Sequence, residues 1–122
     1  MPRVTHFEIY VDDPERSTKF YSDVFGWKIE KWEGPFDYWL ITTGPKDQPG
    51  INGGIAKRDK PEQSTINTID VPSVDDYIAK ITKAGGKVIM PKMAIPGVGY
   101  MAHCADTEGN TIGIMQEDLT VK

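Results

Sequence analysis

The segment Val4–Trp27, VTHFEIYVDDPERSTKFYSDVFGW, decides the fold that we predict for this chain. Apolar and polar residues alternate from Val4 to Val11, which is typical of a strand with one buried face. A helix start follows at Asp13, because aspartate caps free backbone amides and the next residue, a proline, fits the first helical turn. Aromatic and apolar residues then recur at helical spacing until Gly26 ends the helix. The segment therefore predicts a strand, a cap and an amphipathic helix.

The same pattern returns 60 positions further along the chain. Thr65–Val71 alternates as a strand, and Ser73 stands three residues before an aspartate in a form close to a capping box. A helical apolar stripe then runs to Gly85-Gly86, which ends the second helix. Matching element order and glycine placement indicate an internal duplication.

Three more strands are predicted in each copy, so each copy has the element order β-α-β-β-β. We place them at Trp27–Trp32, Phe36–Thr43 and Ile51–Ala56 in the first copy, and at Lys87–Pro91, Gly99–Ala105 and Thr111–Gln116 in the second. Met93–Gly99 is predicted to be a loop. The chain is thus expected to be one α+β domain of two tandem modules, residues 1–57 and 64–117, joined by a polar linker. Helices are expected to cover one face of each small sheet, and the other faces to curve toward each other or toward a second chain and form a cup.

Composition excludes several classes of function. The net charge is −4 and no basic stripe is present, which argues against nucleic-acid binding. No apolar run reaches membrane-spanning length, so we expect no membrane partner. Cys104 is the only cysteine, so no disulfide can form within the chain, and a reducing compartment is consistent with that. A cytoplasmic protein is the resulting expectation.

The opening and closing segments resemble the vicinal oxygen chelate superfamily, which includes glyoxalase I, bleomycin-resistance proteins and extradiol dioxygenases. These segments are HFEIYVDDPERSTKFYSDVFGWKIEKW, from His6, and DTEGNTIGIMQ, from Asp106. The segment YWLITTGPKDQPGINGG, from Tyr38, resembles a glyoxalase-like branch of small single-chain members. The resemblance implies the fold rather than a reaction, because the superfamily contains lyases, isomerases, dioxygenases and pure binders.

In metal-using members of that superfamily, each copy supplies one ligand from its first strand and one from its last. The matching first-strand positions in this chain are His6 and Ile66. The matching last-strand positions are Gly53 and Gly113, with Gly54 as a one-residue alternative. Only His6 has a donor atom, and one imidazole does not hold a divalent ion against water. A second identical chain lacks the same donors, so we predict no metal and no other cofactor.

His6 and Glu8 share one face of the first strand and are the candidate catalytic residues. A carboxylate beside an imidazole can tune the pKa of the ring for acid–base chemistry. The alternative is a hydrogen-bonded structural histidine at a strand start and a solvated carboxylate at the rim.

Ligand contacts are predicted from position and residue type. Tyr10 shares the face of His6, and Trp39 belongs to an aromatic-rich stretch whose flat rings suit the wall of a cup. Asn52 and Gln116 lie beside the last-strand positions and carry amide groups; the alternative is ordinary edge-strand polarity.

His103 is a further candidate for ligand binding, and it stands directly before Cys104. Adjacent residues of a strand point to opposite faces, so the two do not form a nucleophile and its base. Cys104 is interpreted as a buried structural residue.

Three functional hypotheses remain at this stage. The first is a binding module, expected to be a homodimer like its relatives, that takes a small aromatic or amphipathic ligand into its cup. The second is a lyase, isomerase or dioxygenase-type enzyme that uses His6 and Glu8, either without metal or with an unconventional metal held by these two residues and His103. The third is a structural or partner-binding role, which requires a cup filled by the chain's own side chains.

Overall fold

The computed structural model describes residues 2–122, and these residues form two helices and eight strands. In chain order the elements are β1 (Arg3–Val11), α1 (Pro14–Phe25), β2 (Lys28–Lys31), β3 (Trp39–Thr42), β4 (Asn52–Lys57), β5 (Thr65–Asp70), α2 (Val74–Lys83), β6 (Lys87–Ile95), β7 (Gly99–Ala105) and β8 (Thr111–Glu117). The predicted α+β class and the repeated β-α-β-β-β order are therefore confirmed. Neither helix of the described residues has the length and apolar character that crossing a bilayer requires.

The chain divides into two compact units. The first unit is His6–Thr65, and the second unit comprises residues 2–5 and 66–122. Helix α1 of the first unit begins as its sequence predicts, since the Asp13 carboxylate accepts a hydrogen bond from the Arg16 amide at 3.1 Å. It ends at Gly26, whose φ of 72° lies in the left-handed region that glycine adopts without strain.

The four strands of the first unit follow the order β2-β3-β4-β1, in which β1 runs parallel to β4 and the other pairs are antiparallel. One side, which we call the helix-covered face, carries Phe7 and the almost fully buried Ile41 and Ile55. Trp27 packs there, with its ring 5.9 Å from Phe7 and 5.3 Å from Tyr21 of α1. Trp27 therefore faces the helix.

The opposite side of the same strands is the helix-free face of the first unit. His6, Glu8 and Gly54 lie on it, because residues alternate along each strand and Glu8 pairs with Gly54 across β1 and β4. Glu8 is nevertheless buried, with 8% of its surface exposed. The first unit therefore places an ionisable side chain in a sheltered position on the side that its helix does not cover.

The second unit repeats this plan with the strand order β5-β8-β7-β6. Ser73 caps α2 by accepting a hydrogen bond from the Asp76 amide at 3.2 Å, and it stands 60 positions after Asp13. A core forms between α2 and the strands from Val71, Val74, Ala102, Cys104 and Ile114. Cys104 is fully buried in that core, as the sequence predicts for a structural cysteine.

Strand β6 is longer than its sequence indicates. It runs through Pro91 to Ile95, so the loop predicted over Met93–Gly99 is wrong for its first three residues. Within its unit β6 is an edge strand that pairs with β7, and the register shifts between Val88 and Met93. Proline is tolerated there, because an edge strand with an irregular ladder does not need every amide.

Candidate functional site

A hydrogen bond between His6 and Tyr38 is the centre of the helix-free face. The Nε2 atom of His6 lies 2.7 Å from the Tyr38 hydroxyl, and the two rings stack with 22° between their planes. Tyr38 precedes β3 and is held in place by its carbonyl oxygen, which accepts a hydrogen bond from the Trp32 amide at 2.7 Å. The backbone thus directs a loop tyrosine onto the first strand.

Glu8 also interacts with Tyr38. Burial, the negative charge of Glu8 and a hydrogen bond between the two side chains raise the pKa of Tyr38 well above its ordinary value of 10.0. The phenol is therefore protonated at neutral pH, and it acts as a neutral hydrogen-bond donor and acceptor. One hydroxyl group connects the carboxylate of Glu8 to the imidazole of His6.

The ionisation of His6 and Tyr10 follows from the same sheltered environment. Burial lowers the pKa of His6 below its ordinary value of 6.5, and the negative charge of Glu8 opposes part of that change. The imidazole is thus mostly neutral at neutral pH. Burial, Glu8 and Asp59 raise the pKa of Tyr10 above 10.0, so its phenol is neutral as well.

The glycine pair of β4 makes room for this arrangement. A Cβ atom at Gly54 would lie 2.0 Å from the Tyr38 hydroxyl, and one at Gly53 would lie 2.5 Å from the carbonyl oxygen of Phe7. Gly54 therefore leaves the space that the Tyr38 side chain fills. Gly53 allows β4 to approach β1 closely.

Strand register decides which glycine matches Gly113 of the second unit. Glu8 pairs with Gly54, and Thr68, which stands 60 positions after Glu8, pairs with Gly113. The equivalent last-strand positions are thus Gly54 and Gly113, so the one-residue alternative is the correct one.

Aromatic rings surround Tyr38. Trp32 and Phe36 meet edge to face with 5.0 Å between ring centres, and each lies within 6.3 Å of the Tyr38 ring. Phe36 is 43% exposed and Leu40, which pairs with Gly54, is 42% exposed. The polar groups of the helix-free face thus adjoin an apolar surface that solvent can reach.

Two of the predicted ligand contacts lie on different faces of the first unit. Trp39 pairs with Ile55 and so lies on the helix-covered face, away from His6. Asn52 pairs with His6 and shares its face, but its side-chain oxygen accepts a hydrogen bond from the Thr43 amide at 2.9 Å. Asn52 therefore also stabilises the loop between β3 and β4.

Two further predicted contacts, His103 and Gln116, lie in the second unit. His103 is buried and pairs with Gly113, where an added Cβ would lie 2.9 Å from the Thr68 hydroxyl oxygen. Gln116 accepts a hydrogen bond from the Val74 amide at 3.0 Å, which satisfies a free amide at the start of α2. His6, Glu8 and Tyr10 are thus together in the first unit, and His103 and Gln116 are in the other.

Comparison with known proteins gives the family. Residues 3–44 match the family described as "Bleomycin resistance protein-like N-terminal". A "Glyoxylase-like domain-containing protein" of Didymella fabae is 32% identical over 117 residues, which cover 92% of this chain and 91% of that protein. The chain is a glyoxylase-like member of the vicinal oxygen chelate superfamily.

Two more distant proteins also match this chain. "Putative glyoxylase CFP32" of Mycobacterium bovis is 26% identical over 115 residues, which cover 89% of this glyoxylase-like chain but 43% of CFP32, so the chain spans less than half of that relative. The structure of a methylmalonyl-CoA epimerase in complex with methylmalonyl-CoA and NH4+ superimposes with a TM-score of 0.72 at 12% identity, covering 100% of this chain and 99% of the other. The epimerase shares the fold.

The positions that the superfamily resemblance matches to metal ligands have few donor atoms in this glyoxylase-like protein. In the first unit Nε2 of His6 is hydrogen-bonded to Tyr38, whose hydroxyl also takes the side-chain space at Gly54. In the second unit Ile66 and Gly113 have no donor atom. Across residues 2–122, no three side chains of histidine, cysteine, aspartate or glutamate come together in a way that could hold a metal ion.

Proposed function

We propose that this glyoxylase-like protein binds a small aromatic or amphipathic organic ligand on the helix-free face of its first unit, and that no metal takes part. The observation that carries the proposal is the position of the Tyr38 hydroxyl. It lies against His6 and in the side-chain space of Gly54, where metal-using relatives have two of their ligands.

The donor set supports the metal-free part of the proposal. Divalent transition metals in proteins need three or four nitrogen, oxygen or sulfur ligands in a defined geometry. His6 is the only side chain with a donor at the four family positions, and its Nε2 atom already has a hydrogen-bond partner. The side chains at these four positions are therefore consistent with a site that binds an organic molecule without a metal ion.

The aromatic surroundings of Tyr38 support an organic ligand. Binding sites for small molecules are mostly apolar and have a few polar groups that fix orientation. Trp32, Phe36 and Leu40 supply apolar surface, and His6, Glu8 and Tyr38 supply polar atoms beside it. Flat rings bind flat organic molecules through stacking and edge contacts.

Tryptophan fluorescence tests the proposal in protein dialysed against a chelator. A panel of flat apolar compounds and acyl-CoA esters is titrated, and we expect saturable quenching by at least one compound. Trp32→Phe should remove most of that quenching, whereas Trp27→Phe and Trp39→Phe should keep it, because these two tryptophans lie on the helix-covered face. Loss of the indole from the ligand site should also weaken binding by about tenfold.

Two results would contradict the proposal. One is quenching that survives unchanged in Trp32→Phe, which would move the ligand away from the helix-free face. The other is binding that appears only after Zn²⁺, Ni²⁺ or Mn²⁺ is added and is lost in His6→Ala, which would make the ion part of the site.

Metal-free acid–base catalysis is a second candidate function, and the state of His6 favours it. Burial lowers the pKa of this imidazole, so it is available as a neutral base near neutral pH, and Glu8 lies two residues away on the same face. Turnover of a panel compound by the dialysed protein, with loss of turnover in His6→Gln at unchanged ligand affinity, would support an enzyme.

We also propose that the protein forms a homodimer through α1. No residue of α1 is buried by its own chain, and Phe20, Val24 and Phe25 are each more than half exposed. Exposed apolar side chains of this kind are typical of protein–protein contacts. A second copy of the same chain is the partner that the dimers of the superfamily indicate.

A further inference from the structure

The Tyr38 hydroxyl has a single proton and two polar neighbours. It interacts with the carboxylate of Glu8 on one side and lies 2.7 Å from Nε2 of His6 on the other. A hydroxyl group donates one hydrogen bond and accepts others, so only one of the two neighbours can receive its proton. The direction of that donation fixes where the proton of His6 must be.

The carboxylate is the stronger competitor for that proton. An ionised glutamate accepts hydrogen bonds and donates none, and a hydrogen bond to a charged group is roughly twice as strong as one between neutral groups. The Tyr38 hydroxyl therefore donates to Glu8, and its oxygen is left to accept from His6. Nε2 of a neutral imidazole can donate only if that nitrogen carries the ring proton.

We propose that Glu8 and Tyr38 are positioning residues that hold neutral His6 in the tautomer with the proton on Nε2 and the lone pair on Nδ1. Nδ1 is then the atom of His6 that accepts a proton or a hydrogen bond from a ligand. The inference rests on the site of the proposed function, but its test uses no ligand, so either can fail while the other stands.

Nitrogen-15 NMR of the uniformly labelled chain tests the tautomer directly. The chain has two histidines, and His103→Gln assigns their signals. In the wild type at pH 7.5, the Nε2-protonated form of His6 should exceed the other tautomer by roughly tenfold, because its hydrogen bond belongs to a chain that ends on a charge. Tyr38→Phe keeps the ring but removes the hydroxyl, and the ratio should fall several-fold.

Tyr10→Phe is the matched control. It removes a phenolic hydroxyl that lies on the same strand and the same face as His6 but is not hydrogen-bonded to it. The tautomer ratio should therefore stay at the wild-type value. A wild-type His6 protonated on Nδ1 would overturn the inference without any variant. An unchanged ratio in a folded Tyr38→Phe protein, judged by its amide spectrum, would overturn it as well.

Discussion

The two units have the same element order and matching N-terminal helix caps, yet their first strands carry different chemistry. His6 and Glu8 of the first unit correspond to Ile66 and Thr68 of the second, 60 positions later. Both Glu8 and Thr68 are buried, so burial does not explain the difference. The two units thus share an element order, while ionisable groups are present at these positions only in the first unit.

The last strands of the two units also share a backbone feature and differ in the side chain beside it. Each unit has a glycine at the equivalent position, and in each the missing side chain is replaced by a hydroxyl group from another residue. At Gly54 the hydroxyl belongs to Tyr38, and at Gly113 it belongs to Thr68. The tyrosine hydroxyl also lies 2.7 Å from Nε2 of His6.

The helices differ in how well their own unit covers them. Val74 of α2 is fully buried, and three more apolar residues of that helix pack on the core of the second unit. Helix α1 has no buried residue and leaves its phenylalanines exposed. The second unit buries one face of its helix, whereas the first unit leaves apolar side chains of its helix exposed.

The largest expected effect is dissociation of the dimer, and it tests the difference between the two helices. Val24→Lys places a charge on the exposed apolar face of α1, and burying an unpaired ammonium at a dimer contact costs several kcal/mol. Light scattering at micromolar concentration should then show the mass falling from twice 13.6 kDa to 13.6 kDa.

Leu119→Lys is the control, because Leu119 is 70% exposed but belongs to the second unit. That variant should remain dimeric. Dissociation by Leu119→Lys but not by Val24→Lys would place the contact on the wrong unit for our interpretation, and a monomeric wild type would remove the dimer altogether.

An intermediate effect is expected on the free energy of unfolding when Gly54 or Gly113 is replaced by alanine. Gly54→Ala brings a methyl group to within 2.0 Å of the Tyr38 hydroxyl, and overpacking of this kind costs about 1–3 kcal/mol. Gly113→Ala meets Thr68 at 2.9 Å and should cost less, since that neighbour needs to move only slightly. Urea denaturation measures both free energies of unfolding.

The tyrosine is the reason for the expected cost at Gly54. In a Tyr38→Ala background the same Gly54→Ala change should therefore cost much less, which a double-mutant cycle measures. Equal costs in the two backgrounds, or a larger cost for Gly113→Ala, would show that the close approach of Tyr38 does not decide the choice of glycine.

The smallest expected effect is on the pKa of His6 in the first unit. The pKa of His6 should lie below 6.5 in an NMR titration, and Glu8→Gln should lower it further, because the charge that raises it is removed. Folding then favours neutral His6, so this residue contributes stability above pH 6.5 that is lost as the pH falls below that value. A His6 pKa that rises in Glu8→Gln would contradict the proposed charge interaction.

The order of elements was predictable from local sequence alone. Alternation in β1, the aspartate and serine caps and the helix-ending glycines are all encoded within a few residues of where they act. Trp27 and Trp32 are five residues apart at the ends of one predicted strand, which favours opposite faces. Their rings contact Phe7 and Tyr38 respectively, on opposite faces of the sheet.

The arrangement of the site depends on pairing between distant strands, which no local pattern encodes. Trp39 lies on the helix-covered face because β3 pairs with β4 in a register that places it opposite Ile55. Tyr38 was missed for the same reason, since a contact across 32 positions requires both that register and the space at Gly54. Two features of the sequence could indicate Tyr38. It stands two residues before Leu40 and so shares its face of the strand, and the pair Gly53-Gly54 leaves side-chain space on a neighbouring strand.

Unfolding of the two units can be followed by two intrinsic probes. All three tryptophans belong to the first unit, and the only cysteine belongs to the second. Burial raises the pKa of the Cys104 thiol, and since the thiolate is the reactive form, a thiol reagent at neutral pH can label it only after β7 has opened. Labelling rates therefore time the opening of the second unit while fluorescence times that of the first. Whether the duplicated halves of this protein unfold as one cooperative body or in succession is thus measurable in the unmodified chain.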